Sequence, residues 1–497
     1  MFKLPQRNPV RNKSDGLPMP SNTLIELAIE RVIAGGAGLA RLAQPDGRVV
    51  FVEGGLPGSR VSARVTKEEK NCLHAVVERV TRPSPFAAEP FCPHFGVCGG
   101  CAWQHASYGA QLGFKREILR EQLKRLGGRQ PGSGRQPGSG RQPGSGLEAD
   151  VAETLASPYE RFYRNKMEFA FGQGPSGETR LGLRERFHPD QVLEIETCFL
   201  MPHPVADILK ATRRQANALQ LPPYFAPTGA GVWRHLVLRR SEAAGQTPGR
   251  WLAEFIVGPA APVKRLRPLG EALMREFGWL AGVTLGIRRS RPDVAIAQER
   301  AWSVGEDALE ERVCGLCLRV SVDAFFQTNT RAAETLYTEV ARLAGLTGGE
   351  TVWDLYCGVG GLSLCLAREA RHVTGFEISA AAVADAALNA KLNGLSSKCS
   401  FVAGDVRKRL GGGAPDAPDL IVLDPPRAGL HPDVIQALLR MAAPRMAPRL
   451  IYVSCNPATL ARDLGRLGTR YRVGRVTPVD LFPHTPHVEA VAELIRR

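Results

Sequence analysis

The sequence predicts an α/β protein with a doubly wound, Rossmann-like sheet in its C-terminal part. A small β-barrel precedes it, with a mixed α+β region between the two. Three observations carry this expectation. From about residue 315 strand-like apolar runs alternate with helical ones, the pattern of a parallel sheet covered by helices. Within that part, TVWDLYCGVGGLSLCLAREA reads as strand, Gly-rich turn and helix, and HVTGFEIS follows as a second strand. Residues 21–82 hold short β-prone runs broken by Gly-rich turns, for which a small barrel is the natural solution.

The chain has 497 residues, too many for one ordinary core, so several domains are expected. Lys and Arg number 64 against 49 Asp and Glu, a net charge of +15 that favours a polyanionic partner. No apolar run is long enough to span a bilayer. The N-terminal MFKLPQRNPVRNKSDG has no apolar segment of signal-peptide type, so a cytoplasmic location is expected. The 11 cysteines are an odd number in such a chain, which argues for metal ligation, catalysis or burial over a disulfide framework.

The expected organisation is a barrel over 21–82, a central region over 83–310 and a catalytic region over 311–497. A helix is expected over 110–127, with Leu112, Leu119, Leu123 and Leu126 on one face. Lys115, Arg116, Arg120, Lys124 and Arg125 are assigned to its solvated remainder. The segment 129–146 repeats RQPGSG three times and reads as a flexible linker.

The turn after TVWDLYC carries Gly358, Gly360 and Gly361, and the next strand ends in Glu377. Glycines allow close approach to a ligand, and the acid can take ribose hydroxyls, so a dinucleotide or S-adenosylmethionine fits. Asp405 follows a third strand and can accept from an adenine amino group. LIVLDPPRAGL puts Asp424, Pro425 and Pro426 at a fourth strand end, a rigid acceptor loop that nicotinamide enzymes do not need. In LIYVSCNPATLARD, Cys455 stands between a strand and a helix that begins near Pro457. A helix N-terminus lowers a thiol pKa, so a nucleophile that is at least partly thiolate is expected there.

Cys92, Cys98 and Cys101 lie in CPHFGVCGGC, where three thiolates converge from one tight turn. Cys198 is the candidate fourth ligand, and either an iron–sulfur cluster or a structural zinc fits. Cys314 and Cys317 are read as a decoy, because in a strand positions i and i+3 face opposite sides. Cys72, Cys357, Cys365 and Cys399 read as apolar fillers, and His484 and His487 as hydrogen-bonding residues.

Together the cysteine spacing, FFQTN, DLYCGVGGLSL, LDPPRAGL, SCNPATLARD and FPHTPHVE make the chain resemble the bacterial 23S rRNA uracil-C5-methyltransferases that carry an iron–sulfur cluster. The likeness runs over roughly 21–497, apart from the repeat, and its N-terminal β segment looks like a TRAM domain, an OB-like RNA-binding barrel. The resemblance implies S-adenosylmethionine contacts at Gln327, Tyr356, Glu377, Asp405 and Asp424. Gly361 belongs to the same cofactor turn but stands where a polar residue is frequent. It further implies Cys455 as nucleophile, Glu489 as general base, and Cys92, Cys98, Cys101 and Cys198 as ligands of a [4Fe-4S] cluster. The expected partner is RNA, 23S rRNA first, with neither DNA nor a membrane involved and a monomer as the working form. Arg164 and Lys166 are expected RNA contacts, and Arg427 is assigned to holding the base or a phosphate. A tRNA methyltransferase, a non-catalytic RNA-binding protein on this scaffold and a nicotinamide oxidoreductase are the competing readings.

Overall fold

The computed structural model describes residues 22–44, 46–126, 147, 149–241, 249–410, 417–442 and 447–497. The repeat at 129–146 and residue 127 of the expected helix lie outside them. The chain divides into two compact units, one running to Pro90 with Trp103–Ala110 added, the other comprising Phe91–Ala102 and Gln111–Arg497.

In the first unit the strands run in the order Leu24–Ala28, Arg60–Glu69, Cys72–Arg82, Val49–Glu53, Gly38–Arg41 and Arg31–Val32. The two edge strands are consecutive in the chain, separated only by Ile29 and Glu30, and Glu30 N–H donates to Leu39 O at 2.8 Å. One bent stretch therefore serves both edges, and the sheet closes into a barrel, which removes exposed strand edges. Alternate residues point inward, with Val50 and Val52, Val61, Ala63 and Val65, and Leu73 and Ala75 forming the core. Trp103 donates its indole N–H to Gly36 O at 3.0 Å.

The second unit holds two large sheets. The first has seven strands, in the order Val192–Glu194, Thr179–Arg184, Lys166–Gln173, Trp233–Ser241, Arg250–Val257, Leu280–Ile287 and Glu299–Gly305. Helices Pro204–Ala218 and Val263–Glu276 bury Ile208, Leu209, Leu266 and Leu273 in the same core as Trp233, Trp251 and Phe255. A hairpin, Ala308–Val313 with Leu316–Ser321, follows.

The second sheet has eight strands: Cys399–Ala403, His372–Glu377, Thr351–Leu355, Leu420–Leu423, Arg449–Ser454, Glu489–Arg496, Tyr471–Val479 and Asp150–Val151. The first five pair in parallel, as the alternating pattern predicts, and Glu489–Arg496 runs antiparallel to its neighbours. Strand order reverses between Thr351–Leu355 and Leu420–Leu423, where open α/β sheets bind ligands at the carboxyl edge.

The expected helix spans Tyr108–Leu126 and buries Phe114, Ile118, Leu119 and Leu123. One expectation for it fails. Lys115 is not on the solvated face but 0% exposed, its ammonium 2.5 Å from Asp480 Oδ1 and 3.0 Å from Phe482 O. The aliphatic stem follows the buried stripe, and the buried carboxylate meets its charge. Among the described residues no helix is long and apolar enough to cross a membrane.

Candidate active site

Strand register assembles the site. Leu355 pairs with Leu423 and Leu423 with Tyr452, so Tyr356 and Asp424 emerge level with each other at the carboxyl edge. Asp424 N–H donates back to Leu355 O at 3.2 Å. On the next strand pair Ser454 lies opposite Ala490 in an antiparallel register. Cys455 and Glu489 are thus the next residues across that ladder, one leaving its strand and the other entering.

A cleft enclosing about 380 Å³, open solvent included, is lined by Gln327, Tyr356, Gly361 and Asp424, together with Asp354 and Tyr337. It therefore unites four of the six expected cofactor residues. Glu377 adjoins it: its Oε2 accepts from Gly358 N–H at 3.3 Å and its Oε1 from Ser379 N–H at 2.9 Å. Asp405 stands apart from this lining. It caps the helix Val406–Arg409 by accepting from Arg407 N–H at 2.9 Å, and it pairs with the Arg407 guanidinium, which holds its carboxyl down at about 2. The turn is built from unusual backbone, with Tyr356 at φ 71°, Gly358 at 53° and Gly360 at 83°. A bulky residue rarely adopts such a φ, and where it does a ligand-binding role is a common reason. A side chain at Gly361 would place its Cβ 3.2 Å from the Tyr337 hydroxyl, so the buried phenol occupies the space a larger residue would need.

Sequence reasoning missed Asp354. It is 1% exposed, accepts from Ser363 Oγ at 2.5 Å through Oδ2, and has a buried Oδ1 without a hydrogen-bond partner. Burial pushes its pKa up to about 7. Asp354 lines the cleft, and an unmatched acceptor on such a residue fits a ligand that brings donors, as an amino-acid ammonium or a ribose would. The available signal was an acid inside the apolar run TVWDL.

The reacting end is rich in carboxylates. Glu489 is 5% exposed; burial, helped by the charge of Asp424 and opposed by Arg427 and Lys115, raises it to about 8. Asp424 is raised to about 7 by burial and the charge of Asp354. Cys455 is raised to about 11 by burial, then by Glu489 and Asp424, against the pull of Arg427. The expected helix does begin at Pro457, with Asn456 as N-cap accepting from Ala458 N–H at 3.1 Å. Burial and two acidic neighbours nonetheless hold the Cys455 thiol above its usual pKa. The expectation of a partly ionised thiol is corrected accordingly.

The four expected metal-ligating cysteines gather in the second unit. The Cys198 thiol feels Cys98 and Cys92, and burial raises it to about 11. Gly100 N–H points at Cys98 Sγ from 3.4 Å, and a Cβ on Gly100 would also lie 3.4 Å from that sulfur. Arg186 adds positive charge nearby. Among the described residues only Glu69, Cys72 and His74 bring three ligand atoms within 4.8 Å of one another, and Glu69 already pairs with Lys67. A single zinc held at about 2.3 Å by four sulfurs needs thiolates closer than that limit, whereas a cubane spreads its ligands over separate irons. Four thiols are a donor set that either group would take.

Cys314 and Cys317 are split by the hairpin turn, where Cys314 has φ 50°, and the Cys317 thiol lies 2.5 Å from Glu310 Oε1. The two flank a turn and do not lie along one continuous strand. His484 is a hydrogen-bonding residue, as expected. Its Nε2 lies 3.0 Å from Glu160 O and its Nδ1 3.2 Å from Gln111 Nε2, and burial lowers its pKa to about 4. The neutral ring therefore donates from Nε2 and accepts at Nδ1.

The fold and the cleft define an S-adenosylmethionine-dependent methyltransferase with an N-terminal RNA-binding barrel. Comparison with known proteins agrees. The chain matches the TRAM domain over 22–77, the methyltransferase small domain over 333–454 and the tRNA (uracil-5-)-methyltransferase family over 417–497. It is 39% identical over 477 residues to an RNA methyltransferase of Nitratidesulfovibrio vulgaris, covering 95% of each chain. It is 36% identical over 488 residues to one of Gloeobacter violaceus, covering 97% of this chain and 99% of that one. Its structure is similar to that of the Pyrococcus abyssi tRNA (uracil-54, C5)-methyltransferase in complex with S-adenosyl-L-homocysteine. The TM-score is 0.69 at 25% identity, over 94% of this chain and 100% of the other. The chain belongs to the RNA uracil-C5-methyltransferase family, in its TRAM-bearing form.

Proposed function

We propose that this chain methylates C5 of a uridine in 23S rRNA through a covalent adduct between Cys455 and C6 of the base. The observation that carries the reading is the ladder position of Cys455 and Glu489, opposite each other beside Asp424. Carbon 5 of uracil is a poor nucleophile. The Cys455 thiol first loses its proton to solvent; the thiolate then adds to C6, the ring becomes an enolate, and C5 becomes nucleophilic. S-adenosylmethionine supplies an electrophilic methyl group on a sulfonium. Glu489, as carboxylate, then takes the proton from C5, and elimination across C5–C6 frees the thiolate. A carboxyl raised to about 8 is a stronger base than an ordinary glutamate, which suits proton abstraction from carbon.

Gln327, Tyr356, Gly361, Glu377, Asp405 and Asp424 hold the cofactor, with Asp354 added to that set. For Asp405 this requires its pairing with Arg407 to open. The barrel (21–82) and the central region (83–310) hold RNA around a flipped-out uridine, while 311–497 carries the chemistry. Cys92, Cys98, Cys101 and Cys198 bind a [4Fe-4S] cluster, which supplies a rigid cross-link and no electrons to this redox-neutral reaction.

Mapping 5-methyluridine in rRNA and tRNA of a deletion strain tests the substrate. Loss from 23S rRNA alone is the expected result, and loss from tRNA alone refutes the assignment. The second reading, a tRNA substrate, is favoured by the structural likeness to the P. abyssi enzyme.

A further inference from the structure

We propose that His484 is a positioning residue that ties the cysteine loop to Glu489, so that the packing of that loop governs removal of the C5 proton. The inference rests on the catalytic reading above and adds a coupling to it.

The segment between Tyr471–Val479 and Glu489–Arg496 delivers Glu489 to the site. His484 is its anchor. It is 3% exposed and has φ 66°, a backbone conformation that side chains with a Cβ rarely adopt. Such a conformation persists when its surroundings over-determine it. Here they do. Ala102 N–H, one residue past Cys101, donates to His484 O at 2.9 Å. The Phe91 ring, one residue before Cys92, packs edge-on to the imidazole with centroids 5.0 Å apart. His484 N–H donates to Gln111 Oε1 at 2.8 Å, and Gln111 Nε2 meets the ring at Nδ1. The preceding Pro483 O accepts from the buried Tyr163 hydroxyl at 3.1 Å.

Both ends of the Cys92–Cys101 loop thus touch one residue of the segment that ends in the base. Lys115 grips the same segment further back, at Asp480 and Phe482. Cys455 is held by its own strand and by the helix beginning at Pro457. Disturbing His484 should therefore leave addition and methyl transfer alone while misplacing Glu489. A displacement of the order of an ångström is enough to slow a positioned proton transfer.

The test uses full-length His484→Ala and Gln111→Met protein on transcribed 23S rRNA and on total tRNA. Each RNA carries tritium at uracil C5, and the cofactor carries a labelled methyl group. In single turnover, methyl transfer onto the protein-bound RNA should stay near the wild-type rate. Tritium release should fall by about tenfold or more. Methylated, denaturation-resistant protein–RNA adduct should accumulate. In the same variants, the cysteines at 92, 98 and 101 in metal-free protein should react faster with a thiol reagent, read by mass spectrometry. Methyl transfer and tritium release falling in parallel, or both staying at wild-type rates in Gln111→Met, overturns the proposal. Should His484→Ala fail to fold, the Gln111→Met result decides. If wild-type protein forms no adduct and releases no tritium on either RNA, the catalytic reading itself fails, an outcome separate from the others.

Discussion

Cys455 and the cysteines of the 91–102 loop are all partly buried thiols, and burial raises both Cys455 and Cys98, yet the chain positions them by different means. Cys455 is fixed by strand register and faces Glu489 and Asp424, two acids that oppose its ionisation. Cys98 sits in a loop with a glycine N–H turned toward it and the charge of Arg186 nearby, and other thiols act on it. On the proposed function, the first environment would hold a sulfur that reacts with a base, and the second would hold sulfurs whose charge a metal offsets. On that proposal, sheet geometry would serve the reacting thiol, where a small displacement matters, and loop geometry the ligands, which need only converge.

Four experiments bear on this contrast, in falling order of expected effect. Cys455→Ala should lower turnover by about four orders of magnitude or more while S-adenosylhomocysteine still binds, as calorimetry would show. Persistent methylation in that variant refutes the nucleophile assignment. Glu489→Gln should cost about 10²- to 10⁴-fold in turnover. Adduct should pile up on a denaturing gel, because addition precedes the missing proton transfer.

Cys198→Ser should abolish the iron content and the brown absorbance of the purified protein. It should also cost about 1–3 kcal/mol of stability by placing a hydroxyl in an apolar core, read by urea denaturation. Retained iron would remove Cys198 from the ligand set.

The smallest effect concerns pH. Glu489 must be a carboxylate to act, and its pKa is raised to about 8, so the rate should climb as pH rises through that value. Arg427 pulls both Glu489 and Cys455 down, so Arg427→Gln should move the rising limb to higher pH. At neutral pH that is a loss of about threefold or less, as befits an exposed and screened charge. A limb that stays in place would exclude Arg427 from the electrostatics of the site.

Much of this was legible before any coordinates. The strand–turn–helix over Thr351–Ala367 and the helix start at Pro457 follow from apolar runs, glycines and an Asn-Pro cap, all local signals. Lys115 was misplaced because residue type outvoted position: its helical phase belongs with Ile118 and Leu119, and its partner Asp480 lies 365 residues away. Asp354 escapes notice because an acid within an apolar strand looks like a tolerated exception until its orphaned oxygen and its place in the cleft wall are known. The thiol of Cys455 was read from its helix alone, whereas its ionisation depends on carboxylates contributed by two other strands.

The Ser454–Ala490 register has a consequence for how this enzyme can change. Side chains alternate faces along a strand, so one residue inserted into Arg449–Ser454 or Glu489–Arg496 would turn every outer residue over. Insertion scanning across these two strands should therefore give a dead zone with sharp borders, and the tolerated positions would begin only where the ladder stops.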